Sequence, residues 1–308
     1  MRIPEKQPGR KHAIDPVVGL DTIILGLFHI GRTKPPYSPP QILGDINFND
    51  TLIISQGAYV GDRDWPDAVS KLIGRSVTTL LASFGGAKGW VYDFTTIEHI
   101  YTSNHNSFSG TNLEQNFALF RTLLPHVTTI DMDNEDNYGS RPSFVAFCRM
   151  LIGMGFTITF CPYQEQDFWT KSLTELEQSH PGAVIWWNLQ CYAGGGGNDP
   201  ATWAGYIKSA IPGFNTDRYI LASDWTRFWD NTHGTWSGDC PPDTESLLAH
   251  FKGELCVGGA FLWTVDQIID FPNISKQHPG SGCDSEGGSQ TAYVNAIRGG
   301  LLLMQSKS

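Results

Sequence analysis

Residues 128–136 read TTIDMDNED and place four acidic side chains within six positions of an apolar neighbourhood. Alternation predicts a strand in which Asp131, Asp133 and Glu135 share one face and Ile130, Met132 and Asn134 share the other. A parallel strand under helices buries its apolar face, so the acidic face points toward an enclosed centre. Three carboxyls there cannot all stay ionised cheaply. Mutual repulsion and poor solvation push at least one pKa upward, which leaves a proton donor near neutral pH. Asp136 falls outside this ladder and takes no role.

Apolar, β-branched runs recur on both sides of this stretch. Strands are expected at Thr22–Ile30, Val77–Ser83, Val127–Asp133, Thr157–Cys161, Ala183–Tyr192, Tyr219–Ser223 and Gly259–Trp263. Amphipathic helices are expected between them at Trp65–Ile73, Leu113–Leu124, Arg141–Met154, Gln166–Gln178, Pro200–Ala210 and Asp243–Lys252. Runs such as IILGLF and AVIWW are apolar on both faces, as parallel strands covered by helices require. The pattern predicts α/β architecture, a TIM (β/α)8 barrel, with residues 1–308 forming one domain in which 1–20 is an N-terminal extension of no assigned structure. The N-terminal strands are irregular in this reading. Thr51–Val60 is either a barrel strand or a hairpin with the preceding Asn-Phe-Asn, and the Pro-rich TKPPYSPP replaces the usual crossover helix.

A net charge of −10, with no basic run longer than Arg10-Lys11, argues against nucleic acid or an anionic membrane as partner. No stretch reaches the roughly 20 apolar residues that span a bilayer. The start, MRIPEKQPGRKHAID, carries basic residues without an apolar run behind them, so no ordinary signal peptide is expected; the location stays open. A monomer is expected. The six cysteines include no Cys-x-x-Cys and no Cys/His pair at zinc spacing. Cys240 and Cys283 sit in Gly/Pro-rich loops where pairing is possible, but free thiols are the expectation.

The acidic run is not a calcium loop, because Asp136 replaces the turn glycine and Pro142 stands where the final Glu belongs. No metal is expected there. Neither GGAKG nor GGGG sits in a phosphate-loop frame, and no G-x-S-x-G elbow occurs, so no nucleotide cofactor or serine triad is indicated. His29 ends a strand and is either a pocket residue or a satisfied structural histidine. Cys191 should face the helix layer and is no nucleophile.

The ladder resembles the D-x-x-D-x-D-x-E hallmark of glycoside hydrolase family 18, the chitinases and endo-β-N-acetylglucosaminidases. Asp131, Asp133 and Glu135 match its last three acidic positions, and Thr128 stands where the first would be. LLASFGGAKG (80–89) is similar to the family's S-x-G-G segment through Ser83, Gly85 and Gly86. WNLQCY (187–192) matches the strand-six pattern at Gln190 and Tyr192, and GGAFLW (258–263) resembles the last strand, ending in Trp263. NEDNYGSRPSFVAF and GDINFND look more like endo-β-N-acetylglucosaminidases, whereas the last strand looks chitinase-like. The resemblance spans about residues 21–270.

It implies a retaining glycosidase acting on N-acetylglucosamine glycans, or alternatively a silent carbohydrate-binding relative. The substrate's own acetamido group serves as nucleophile. Glu135 would be the acid and base, Asp133 would orient the acetamido N–H, and Asp131 would share a proton beneath it. Tyr192 and Gln190 would hold the acetamido carbonyl. Trp263, Ser83, Gly85, Gly86, Trp225, Trp90 and Phe28 are the expected substrate-binding residues.

Overall fold

A computed structural model describes residues 19–30, 42–74, 76–87, 92–135, 138–192, 198–253, 257–283 and 288–302. Trp90, Asp136, Cys256, TKPPYSPP, most of the 1–20 extension and the glycines of GGGG lie outside these residues. The described chain falls into two compact units, one over 21–185 and one formed by 19–20 with the chain from Trp186 onward.

The first unit opens with β1 (Thr22–His29), followed by β2 (Ile46–Phe48), β3 (Thr51–Ser55), β4 (Ala58–Tyr59) and the short α1 (Trp65–Ser70). Next come β5 (Thr79–Gly86), α2 (Asp93–Ser103), α3 (Asn112–Leu123), β6 (Val127–Asn134), α4 (Arg141–Gly153), β7 (Thr157–Phe160) and α5 (Gln166–Ser179). Its strands are ordered β7-β6-β5-β1-β2-β3-β4. The pairs β1/β5, β5/β6 and β6/β7 are parallel, while β2, β3 and β4 form an antiparallel meander on β1. The hairpin alternative for Thr51–Val60 is therefore the one adopted. The next turn, Gln56-Gly57 between β3 and β4, has positive φ at both residues (51° and 70°), as a tight two-residue hairpin turn requires.

The second unit takes up the chain within β8 (Val184–Leu189). It continues through α6 (Pro200–Ala210), α7 (Thr216–Tyr219), β9 (Ile220–Trp225), β10 (Phe228–Asp230), β11 (Thr235–Ser237), α8 (Pro241–Gly253), β12 (Gly259–Trp263), α9 (Val265–Gln277) and α10 (Gln290–Leu302). Strands β8, β9 and β12 run parallel, and β10 and β11 form a separate hairpin. All seven parallel strands expected from the sequence are present, with ends shifted by a few residues. Helices α2, α7, α9 and α10 are not among the expected ones. Among the described residues no helix is long and apolar enough to cross a membrane.

Local chemistry sets the helix starts. Thr111, Ser140 and Asp199 accept the backbone N–H of Glu114, Ser143 and Thr202, and Thr264 forms a reciprocal capping box with Gln267. In the first unit, Ile130 and Met132 of β6 are fully buried with Ala82, Phe84, Ile158 and Phe160 of the flanking strands. The helix layer meets this face through aromatic contacts such as Phe144–Phe160 at 5.7 Å and Phe84–Phe117 at 5.0 Å.

The free-thiol expectation for Cys240 and Cys283 is corrected: they form a disulfide, with Cα atoms 5.6 Å apart across 43 residues. Arg227 explains the encounter. Its guanidinium donates to the carbonyls of Gly238 (2.6 Å) and Ser281 (2.7 Å), drawing both loops together. Cys148, Cys161 and Cys191 are buried free thiols.

Candidate active site

The first unit holds the acidic ladder. Parallel register sets Ser83 beside Asp131 and Gly85 beside Asp133 on one flank, and Thr159 beside Asp131 on the other. Asp131 is 2% exposed. Its Oδ2 accepts from the Ser83 hydroxyl at 2.7 Å and its Oδ1 from the Thr159 hydroxyl at 2.6 Å. Two hydroxyl donors suit a carboxylate, which only accepts.

Asp133 is 7% exposed. Burial pushes its carboxyl well above the usual aspartate range, with the neighbouring charges of Glu135 and Asp131 adding to the rise. Glu135 hydrogen-bonds the Asp133 carboxyl, and the Cys161 thiol, hydrogen-bonded on the same carboxyl, draws the pKa back in the opposite direction. Glu135 itself is half-buried. The arrangement is a carboxyl with two hydroxyl donors at the bottom, a carboxyl with a raised pKa in the middle and a partly open carboxyl at the top. It can deliver and recover one proton at the exposed end.

The glycines have steric work here. Gly85 has φ +121°, and a Cβ at this position would collide with the Asp133 carbonyl. Gly86 has φ +125°, and a Cβ would meet Leu27 Cδ1 at 2.8 Å. Phe28 is a correction. It is fully buried against Phe48, Phe84, Phe120 and Trp65, leaving no surface for a ligand. A register shift between Leu25 and Phe28 pairs Phe28 with Phe84, on the helix-facing side of the sheet. His29 is the satisfied histidine of the two alternatives. It is buried with Nδ1 3.0 Å from Asp93 Oδ2, while Asp93 Oδ1 accepts the Ile30 N–H.

The second unit brings together the other expected residues. Gln190 is buried just past the end of β8, and its carbonyl accepts from Asn198 Nδ2 at 3.1 Å. Half-buried Tyr192 lies 5.6 Å from Trp225, ring centre to ring centre. Trp225 stacks on Phe228 at 4.7 Å and donates its indole N–H to Gln267 Oε1 at 3.1 Å. Trp263 ends β12 in register with Trp225 at the end of β9, so these half-buried indoles are lateral neighbours on one face. Trp229 instead stacks on His278 at 4.0 Å. Burial pushes the Cys191 thiol up to about 12, so it is no nucleophile at neutral pH.

Thr159 and Cys161 were missed as ladder residues, although they share the parity that sequence alternation assigns to one face of β7. A second carboxyl pair was also missed: Asp224 of β9 is buried, bonded to Thr244 of α8 and to Asp239. Among the described residues, no three or more His, Cys, Asp or Glu side chains are grouped to hold a metal ion.

The fold is shared with solved glycosidases. The catalytic domain of a family GH18 chitinase from the fern Peteris ryukyuensis superposes with a TM-score of 0.52 at 16% identity, covering 90% of this chain and 93% of that one. The GH18 chitinase ChiB from the chitin utilization locus of Flavobacterium johnsoniae gives 0.55 at 11% identity, covering 92% and 88%. At these identities the likeness is one of fold. No family model matches the sequence. No curated protein matches it either.

Proposed function

We propose that this protein is a retaining glycoside hydrolase of family 18 type, a single (β/α)8 catalytic domain cleaving β-linked N-acetylglucosamine glycans. Chitin-type oligosaccharides and the N-glycan chitobiose core are both substrates in this class. The observation that carries the reading is the ladder. A proton-holding Asp133 is buried between Asp131 and Glu135 on a parallel strand, in a fold shared with two GH18 chitinases.

In this reading Glu135 gives its proton to the glycosidic oxygen as the acetamido carbonyl oxygen attacks C1 and the leaving sugar departs. Asp133 passes its proton down to Asp131 and, as the carboxylate, accepts the acetamido N–H and balances the positive charge of the oxazolinium. Water then adds to C1, Glu135 takes back a proton, and two displacements retain the anomeric configuration. Tyr192 and Gln190 hold the acetamido carbonyl, and Trp263 and Trp225 offer flat apolar surface to the sugar face.

General acid–base assistance is worth roughly 10²–10⁴-fold, so Glu135→Gln should lose at least that share of turnover. The assay is fluorescence release from 4-methylumbelliferyl chitobioside, with mobility of a high-mannose glycoprotein on a gel as the second substrate. Wild-type turnover of one substrate with its loss in Glu135→Gln is the expected result. Wild-type protein inactive on both, or a fully active Glu135→Gln, overturns the reading.

A further inference from the structure

The carboxyl of Asp133 has a second polar neighbour that the ladder's own acids do not explain. Cys161 directly follows β7, and its N–H donates to the Met132 carbonyl at 3.0 Å. That bond carries the β6/β7 register, in which Met132 pairs with Phe160, one step further. Cys161 therefore flanks Asp133 as Thr159 flanks Asp131, and its thiol hydrogen-bonds the Asp133 carboxyl. The residue is 7% exposed.

A thiol in this place has little chemistry open to it. Burial first, then the charges of Asp133, Asp131 and Glu135, push it well above the usual thiol range. Thiolate formation is what makes a cysteine a nucleophile, a metal ligand or a redox sensor, so those roles are suppressed. What remains is a single S–H donor, weaker than a hydroxyl.

We propose that Cys161 is a positioning residue, whose S–H holds the Asp133 carboxyl and sets how the ladder's proton is divided between Asp133 and Glu135. The donors along β6 are graded. Asp131 receives two hydroxyls. At Asp133 the β7-side neighbour is a thiol instead of a hydroxyl, a weaker donor that orients the carboxyl but favours its charged form less. A hydroxyl at 161 would pull Asp133 toward the anion, and a methyl would leave it more firmly protonated.

The grading makes opposite predictions for two substitutions, which a merely structural role does not. The test follows the carboxylic C=O infrared band of Asp133, identified by its loss in Asp133→Asn, across pH in the full chain. Relative to wild type, the titration should move up by about one pH unit in Cys161→Ala and down by about one in Cys161→Ser, a tenfold change in proton affinity each way. Shifts in the same direction, or none in either variant, overturn the proposal. If the alanine variant does not fold, the sign of the serine shift decides alone.

The role in turnover rests on the proposed glycosidase reading, and its arm is separate. With the chitobioside, the acid limb of the pH–rate profile should move in the order alanine, wild type, serine, from high pH to low. Failure of the glycosidase reading shows as a wild type without turnover, whereas failure of the Cys161 proposal shows as an infrared titration that ignores residue 161.

Discussion

The donors to Asp131 can be removed one at a time without changing shape greatly, through Ser83→Ala and Thr159→Val. Both hydroxyls reach a carboxylate that is 2% exposed, at 2.7 and 2.6 Å. A hydrogen bond to a charged group contributes about 1.5–3 kcal/mol, so each single variant should lose about 2 kcal/mol at pH 7. The pair should not simply add, because both donors converge on one group. A carboxyl stripped of both donors escapes by taking a proton. Starting from an ordinary aspartate pKa of about 3.9, that escape costs about 4 kcal/mol at pH 7 and about 1.5 kcal/mol at pH 5. The double variant's loss should therefore approach about 4 kcal/mol at pH 7 and fall by more than half at pH 5. Urea unfolding of the four proteins at both pH values completes the cycle, each variant referred to wild type at the same pH. A double loss that is equal at the two pH values would refute the claim that Asp131 is held as a buried anion by these hydroxyls. Single losses below about 0.5 kcal/mol, the scale of ordinary surface substitutions, would refute the bonds themselves.

Two further outcomes concern the second unit. Burial, opposed by the Thr244 hydroxyl and reinforced by Asp239, raises Asp224 from 3.8 to about 6. An acid whose pKa is raised on folding stabilises the native state below its unfolded pKa, and this contribution is lost as pH rises through the folded value. Between pH 4 and 7 this group should cost about 3 kcal/mol, and Asp224→Asn should flatten that part of the stability–pH curve; an unchanged slope in thermal melts would count against it. Opening the Cys240–Cys283 disulfide frees a 43-residue loop. The chain-entropy model puts that at about 4 kcal/mol, so melting with and without reductant should differ by about 10 °C, and a difference under 2 °C would deny it a stabilising role.

Much of the fold was legible because parallel strands under helices advertise themselves as short apolar runs, and every such run became a strand. What the pattern does not display is a change of parity. Leu80 pairs with Val127 but Leu81 with Thr129, so the strand skips Thr128. A similar shift between Leu25 and Phe28 carried Phe28 to the helix side, against its expected place at the sugar. Both depend on pairing with a neighbouring strand, and alternation within one segment carries no information about that. Helix α9 failed for a different reason. Its capping box at Thr264–Gln267 is readable, but Pro272 inside the helix reads as a stop. The disulfide needed Arg227, whose clamp on two distant loops has no local signature.

Thr128, where the resembled family has its first acid, shows how the ladder manages without one. Its side chain is exposed at the skipped position, away from the carboxyls. The rung above it is neutral, with the Thr129 and Thr157 hydroxyls 2.8 Å apart. Next comes Asp131 with its two hydroxyl donors, then Asp133 with one thiol, then Glu135. Donor strength falls along β6 while exposure rises from 2% at Asp131 to 7% at Asp133 and to a half-buried Glu135. The step from Asp131 to Asp133 replaces hydroxyl donors with a weaker thiol, and a carboxyl that is already well bonded gains least by protonation. An acid at 128 would sit in solvent at the skipped position and serve no carboxyl of the ladder, whose lowest member already has two hydroxyl donors. The gradient thus favours the proton on Asp133, away from the closed end of the strand and next to the half-buried Glu135.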